Sequence, residues 1–193
     1  ILFGSFLKTP LYTEIATLIG HTSSVYCIIL HENKLYSASG DKTIRIWNTE
    51  TREEIATLRG SEGSVQCITI RENKLYSGSG DNKIRIWNTE TYEEIAILSG
   101  VDYGLKCIAS HDNKLYYSGC ANTIRILNTE TYELVATLRG HNNWVNCLTQ
   151  RDNKLYSGSL DNTIRIWNTE TREEIATLRG HNEIVECLIH FKN

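Results

Sequence analysis

The chain has 193 residues, 40% of them apolar and 22% charged, with a formal net charge of -3. That balance belongs to a folded domain with a core and not to a disordered segment, and the lysines and arginines recur singly, without the blocks that would grip a phosphate backbone. No apolar run approaches the roughly 18 to 20 residues that cross a bilayer, and the opening ILFGSFLKTP is too short and lacks the charged start of a signal peptide. A cytoplasmic chain with no nucleic-acid or membrane partner is expected.

In chain order, residues 1–10 read as a strand either by likeness to KLYSGSL (154–160) or by their phase against TIRIWN (163–168). Residues 11–20, LYTEIATLIG, read as the outer strand that ends a unit. From His21 the chain repeats every 40 residues, as units 21–60, 61–100, 101–140 and 141–180, with a partial copy from 181. Each unit holds four β-type runs, here a to d. In the fourth unit they are WVNCLTQ, KLYSGSL after the turn RDN, TIRIWN after DN, and EEIATLRG after TETR. Short runs rich in Ile, Val, Leu, Tyr and Trp between Asp, Asn, Gly and Thr are strand-turn-strand signals. ETREEIATL alone would pass for a short helix, and the repeat overrules it. The first residue is Ile1 and there is no Met, which reads as a fragment, a processed product or an expression product.

Five of the six cysteines, Cys27, Cys67, Cys107, Cys147 and Cys187, share one phase inside apolar segments such as VYCIIL, the habit of a small free core thiol. No metal and no cofactor is expected.

Four-stranded sheets in series bury their faces only by packing neighbour on neighbour. The 40-residue spacing, the pairs Gly20-His21, Gly140-His141 and Gly180-His181, Asp41, Asp81 and Asp161 after run b, and Trp47, Trp87 and Trp167 ending run c resemble the WD-repeat β-propeller family over about residues 11–190. Within that family the a-to-b turns and TIRIWNTET are most similar to propellers attached to F-box proteins and some amoeboid kinases, where they recruit substrates; neither an F-box nor a kinase sequence is present. The Trp-Asp pair reads Trp-Asn at Asn48, Asn88 and Asn168 and Leu-Asn at Asn128, and Asn serves a turn nearly as well as Asp.

The resemblance implies an all-β propeller of four-stranded antiparallel blades, one domain over 1–193. Seven blades, the family's usual number, would need about 280 residues at this period. Residues 181–193 supply a strand a and residues 11–20 a strand d, so a five-bladed ring is expected, its closing blade composed of 181–193 and 1–20 and one strand short. A piece of a larger propeller, or an open arc that self-associates through its edges, are the rival readings.

The resemblance also implies a buried structural tetrad in each blade: His21, Ser39, Asp41 and Trp47 in the first unit, and His141, Ser159, Asp161 and Trp167 in the fourth. The second unit has Ser61 in place of His. The third has Val101, Gly119, Ala121 and Leu127 at the four phases, a joint replacement that leaves no orphan, since each unpaired buried polar group costs about 1 to 3 kcal/mol. A group that recurs blade after blade is a bond set and not a hydrolase triad, and no enzyme is expected.

From Asn33 and Asn153 onward the first and fourth units differ only at Ala38/Gly158, Gly40/Leu160 and Lys42/Asn162. Difference concentrates in the first ten positions of each unit, the loop into strand a. There the residue before the repeated cysteine reads Tyr26, Gln66, Lys106, Asn146 and Glu186 while its neighbours hold. Such a ring makes a symmetric frame asymmetric, as a contact surface on the top face requires. Trp144, then Tyr103, are its aromatic anchors, with Leu160 adding apolar surface at the rim. The paired Glu53/Glu54, Glu93/Glu94 and Glu173/Glu174 read as edge protection. A non-enzymatic protein- or peptide-binding scaffold is the resulting expectation. An amplified or engineered repeat without a ligand, and a propeller lectin using Trp144, Asn142 and Asn143, stand beside it.

Overall fold

The computed structural model describes residues 14–101 and 104–189. Among the described residues, sixteen strands form four sheets, each antiparallel and each ordered as in the chain. The first blade is β1 (Val25–His31), β2 (Lys34–Ser39), β3 (Ile44–Asn48) and β4 (Glu54–Leu58). The second is β5 (Val65–Arg71), β6 (Lys74–Ser79), β7 (Ile84–Asn88) and β8 (Glu94–Leu98). The third is β9 (Cys107–His111), β10 (Lys114–Ser118), β11 (Thr123–Asn128) and β12 (Leu134–Arg139). The fourth is β13 (Val145–Arg151), β14 (Lys154–Ser159), β15 (Ile164–Asn168) and β16 (Glu174–Leu178). The blades form a propeller ring, with the innermost strands β1, β5, β9 and β13 packed in succession.

Each second strand is apolar on both sides because a blade is covered on both faces, and β6 is buried along all but its first residue. The core lies between blades. Tyr36, Ala38, Ile44, Ile46 and Leu58 of the first pack on Val65, Ile68, Leu75 and Trp87 of the second. The same pattern recurs between the second and third and between the third and fourth. Hence the Tyr of a second strand points forward onto the next blade and the Leu before it points back, as period-two alternation demands.

The Asp-to-Asn departure does its expected work: Asn48 Oδ1 accepts the backbone N–H groups of Glu50 and Thr51, and Asn88, Asn128 and Asn168 repeat this, the third blade included. The second glutamate of each outer-strand pair is tied inward, Glu54 to Arg45 and Glu174 to Arg165, with Glu94 3.4 Å from Arg85 Nε.

All six cysteines are free. Cys67, Cys107 and Cys147 are buried, and burial pushes the Cys147 thiol up to about 12. Cys187 is exposed, against the expectation of a core thiol, because its sector is thinly covered. The five repeated thiols are electrostatic neighbours in succession, and Cys187 adjoins Cys27 as well as Cys147, so five positions close around one axis.

The fifth position belongs to residues 183–189 and 14–20, which carry no assigned strand. They nonetheless sit at strand a and strand d places. Val185 N–H donates to Ser159 O at 3.1 Å, and Cys147 Sγ faces Val185 O as Cys107 Sγ faces Val145 O. Gly20 lies against Arg45 and Trp47 as Gly140 lies against Arg165 and Trp167. The rest of the expected closing blade, and the strand expected in ILFGSFLKTP, fall on residues 1–13 and 190–193, outside the described residues.

Candidate functional site

The buried tetrad is built on Ser37 and Ser157, not on Ser39 and Ser159. His21 Nδ1–H donates to Asp41 Oδ2 at 2.7 Å, leaving Nε2 to accept from Ser37 Oγ–H at 2.8 Å, and the Trp47 indole N–H donates to that same oxygen at 2.9 Å. The fourth blade repeats this through His141, Asp161, Ser157 and Trp167 at 2.8, 2.7 and 2.8 Å. Ser39 and Ser159 point to the same face two residues on, where Ser39 Oγ reaches Ser23 O and Ser159 Oγ reaches Asn143 O, holding the loop into strand a. Thr43 and Thr163 complete the set by donating to Asp41 and Asp161. Ser157 is buried between strands and its oxygen accepts the indole, an arrangement that fixes a blade.

The other two blades solve the same position differently. In the second, Arg85 is buried and turns to Asp81 at 2.7 Å, reaching Ser61 Oγ at 3.5 Å, so a guanidinium stands in for the imidazole. In the third, the residue at the Ser37 phase is Tyr117, not the expected Gly119. Tyr117 is buried against Leu127 with Val101 beside them, so an aromatic ring fills the volume that Trp and His occupy elsewhere.

Burial works to raise the Asp161 carboxyl, but hydrogen bonds from Thr163, Asn142 and His141 outweigh it and hold the group well below the usual carboxylate range; Asp41 behaves likewise. Burial lowers His141 despite the opposing pull of Asp161. In both cases the unfolded chain binds protons more readily, so stability rises with pH: His141 contributes fully above about pH 6.5 and loses that contribution as the pH drops, and the aspartates lose theirs below about pH 4. Urea midpoints should therefore be level from about pH 8 to 7 and decline in these two steps. His141→Gln should be less stable but lack the first step. A wild-type midpoint flat down to pH 5 would contradict this assignment.

The variable ring converges. Tyr26, Gln66, Lys106, Asn146 and Glu186 line a single pocket of about 360 Å³ at the ring's centre. Its geometry comes from a feature the sequence hid. The pairing of β1 with β2 skips between Val25 and Cys27, and the same skip occurs between Val65 and Cys67 and between Val145 and Cys147. Tyr26, Gln66 and Asn146 are thus bulge residues, the extra residue that re-aims a side chain out of the ladder. The pocket presents a phenol, two amides, one cation and one carboxylate.

Around the rim, Trp144 is 40% exposed in its loop, and its carbonyl accepts the Leu160 N–H at 2.9 Å. Leu160, expected to be exposed, is half-buried. Tyr103 lies outside the described residues. Its neighbour Gly104 takes a φ of 61° and donates to Asn82 Oδ1 at 2.8 Å, and a Cβ there would meet Cys120 Sγ at 2.7 Å, so only glycine fits this loop.

Among the described residues, no helix is long and apolar enough to cross a membrane. Residues 12–48, 52–88 and 132–168 match the family model described as WD domain, G-beta repeat. The gap between the last two matches, 89–131, contains most of the blade that lacks the tetrad. No curated protein matches the chain. Among solved structures it is similar to the computationally designed Ika8 protein, with a TM-score of 0.78 and 26% identity over 90% of this chain and 55% of that one. It is also similar to U3-55K, with a TM-score of 0.82 and 22% identity over 88% and 56% of the two chains. The chain spans a little over half the length of both structures.

Proposed function

The chain belongs to the WD-repeat family, and on that premise we propose that it is a non-enzymatic scaffold that binds a protein or peptide on the face carrying Tyr26, Gln66, Lys106, Asn146, Glu186 and Trp144. One observation carries the reading: five residues that differ in chemistry line one pocket, while the residues beside them in each copy stay Val or Leu before and Cys after. Unconstrained drift would scatter differences over exposed turns as readily as over this ring, yet the c-to-d turns repeat almost unchanged as NTETR and NTETY. Trp144 supplies the large half-exposed aromatic that interface anchors favour, and Lys106 and Glu186 give the pocket a polarity that would orient an extended segment.

Affinity capture with the wild type and with Trp144→Ala combined with Lys106→Glu tests this reading. Neither side chain is buried in the core, so the thermal midpoint should hold. The double variant should lose a discrete set of partners, and for a purified partner the loss at Trp144 should be about 2 kcal/mol, or some 30-fold in affinity. Identical partner sets for the two proteins would overturn the proposal.

A further inference from the structure

The side chains that line the central pocket are unspent. Among the described residues, none of Tyr26, Gln66, Lys106, Asn146 and Glu186 makes a side-chain hydrogen bond or an ion pair. Polar side chains of the surrounding rim are committed to the fold. Asn82 Oδ1 accepts the Gly104 N–H, Asn143 Oδ1 accepts the Trp144 N–H, and Asn162 Nδ2 donates to Asn182 O. The contrast is sharpest for Lys106 and Glu186, which bring opposite charges into one pocket and do not pair with each other.

The order of the residues around the axis accounts for this. The innermost strands pack in succession, and Cys187 adjoins both Cys147 and Cys27, so the ring runs Tyr26, Gln66, Lys106, Asn146, Glu186 and back to Tyr26. Asn146 therefore separates the two charges on one side, and Gln66 with Tyr26 separates them on the other. The ring falls into two halves. Gln66, Lys106 and Asn146 are consecutive and offer two amide donors flanking an ammonium, a setting for an anion. Glu186 and Tyr26 are consecutive and offer a carboxylate beside an aromatic ring, a setting for a cation. Every member belongs to an innermost strand, to the residue just before β9, or to residues 183–189, so the pocket needs nothing from the outer places of the fifth sector.

We propose that this pocket selects an extended partner segment carrying one acidic and one basic side chain two residues apart. The proposal rests on the peptide-binding reading of the same pocket and names what that pocket accepts. Alternate residues of an extended chain point to the same side about 7 Å apart, so both charged side chains enter one opening while the residue between them faces away. The Asp or Glu goes to Lys106 and the two amides, and the Lys or Arg goes to Glu186 and the Tyr26 ring. A segment with two like charges meets one attraction and one repulsion, so the pocket rejects it by the same pair of residues that accepts the mixed one.

Selection from a random heptapeptide library displayed on phage, with the full chain as bait, tests the proposal. The wild type should enrich sequences with an acidic and a basic residue separated by one position. In a synthetic copy of the best of them, changing the acidic residue to lysine should weaken binding at least 10-fold. Lys106→Glu makes the pocket doubly anionic and should enrich two basic residues at that spacing; Glu186→Lys should enrich two acidic ones. Both positions are exposed, and a preference gained by a variant also reports that it is folded. Wild-type sequences without the mixed pair, or the same preference in all three proteins, overturn the proposal and leave the peptide-binding reading standing. No enrichment of any sequence by the wild type overturns both.

Discussion

Tyr117→Ser should be among the most damaging single substitutions in this chain, although it restores the residue that the other three blades carry. In those blades the serine oxygen is shared between an indole and, in two of them, an imidazole. In the third blade those partners are Leu127 and Val101, and the tyrosine ring fills the space. Serine would leave a cavity of aromatic size and a buried hydroxyl without its usual partners. Truncation of a buried aromatic costs about 3 to 5 kcal/mol, and we expect a loss in that range. Urea denaturation monitored by tryptophan fluorescence measures it. Tyr117→Phe should lose less than half as much. A Tyr117→Ser variant within 1 kcal/mol of wild type would show that the ring is not part of the packing.

Asp161→Ala should lose about 3 kcal/mol, because removing one member of a buried charged network strands the others. The His141 Nδ1–H, the Asn142 N–H and the Thr163 hydroxyl all donate to that carboxylate. The informative comparison is the fourfold variant His141→Val, Ser157→Tyr, Asp161→Ala, Trp167→Leu, which gives the fourth blade the third blade's solution. Neighbours in one network are not additive, and here His141→Val removes the buried imidazole that the first substitution strands, while Ser157→Tyr and Trp167→Leu replace the hydroxyl and the indole that were bonded with it. The fourfold variant should therefore be more stable than Asp161→Ala alone, by about 1 to 2 kcal/mol. Equilibrium unfolding of the two side by side settles the sign; a fourfold variant less stable than the single one would mean that the third blade's packing does not transfer.

These two experiments turn on what the sequence made legible and what it concealed. Strand identity, blade boundaries and the family were readable because the 40-residue period, the Gly-His entries and the Trp positions reinforce one another. The variable ring was readable because its immediate neighbours in strand a, Val or Leu before it and Cys followed by Ile or Leu after it, repeat between copies. The tetrad serine was misplaced because Ser37 and Ser39 lie two residues apart on one face of β2, and only the reach of the indole distinguishes them. That shift of two also hid Tyr117, since the phase compared was Gly119. The role of Arg85 was hidden for another reason: arginine stands at that phase in all four blades, and only the loss of the imidazole at Ser61 frees the second one to turn toward Asp81. The bulge could not be counted, because the first, second and fourth blades carry the same extra residue and the 40-residue period is unchanged by it.

That inserted residue has a consequence for how the molecule can diversify. A side chain within a regular ladder is bound to its neighbours across the sheet, and changing it disturbs the packing beneath. Tyr26, Gln66 and Asn146 stand outside the pairing, while Val25, Val65 and Val145 on one side of the bulge and the cysteines on the other keep their registers. The centre of the disc is therefore a set of interchangeable sockets mounted on a constant chassis, where side chains can be exchanged one at a time without renegotiating the fold.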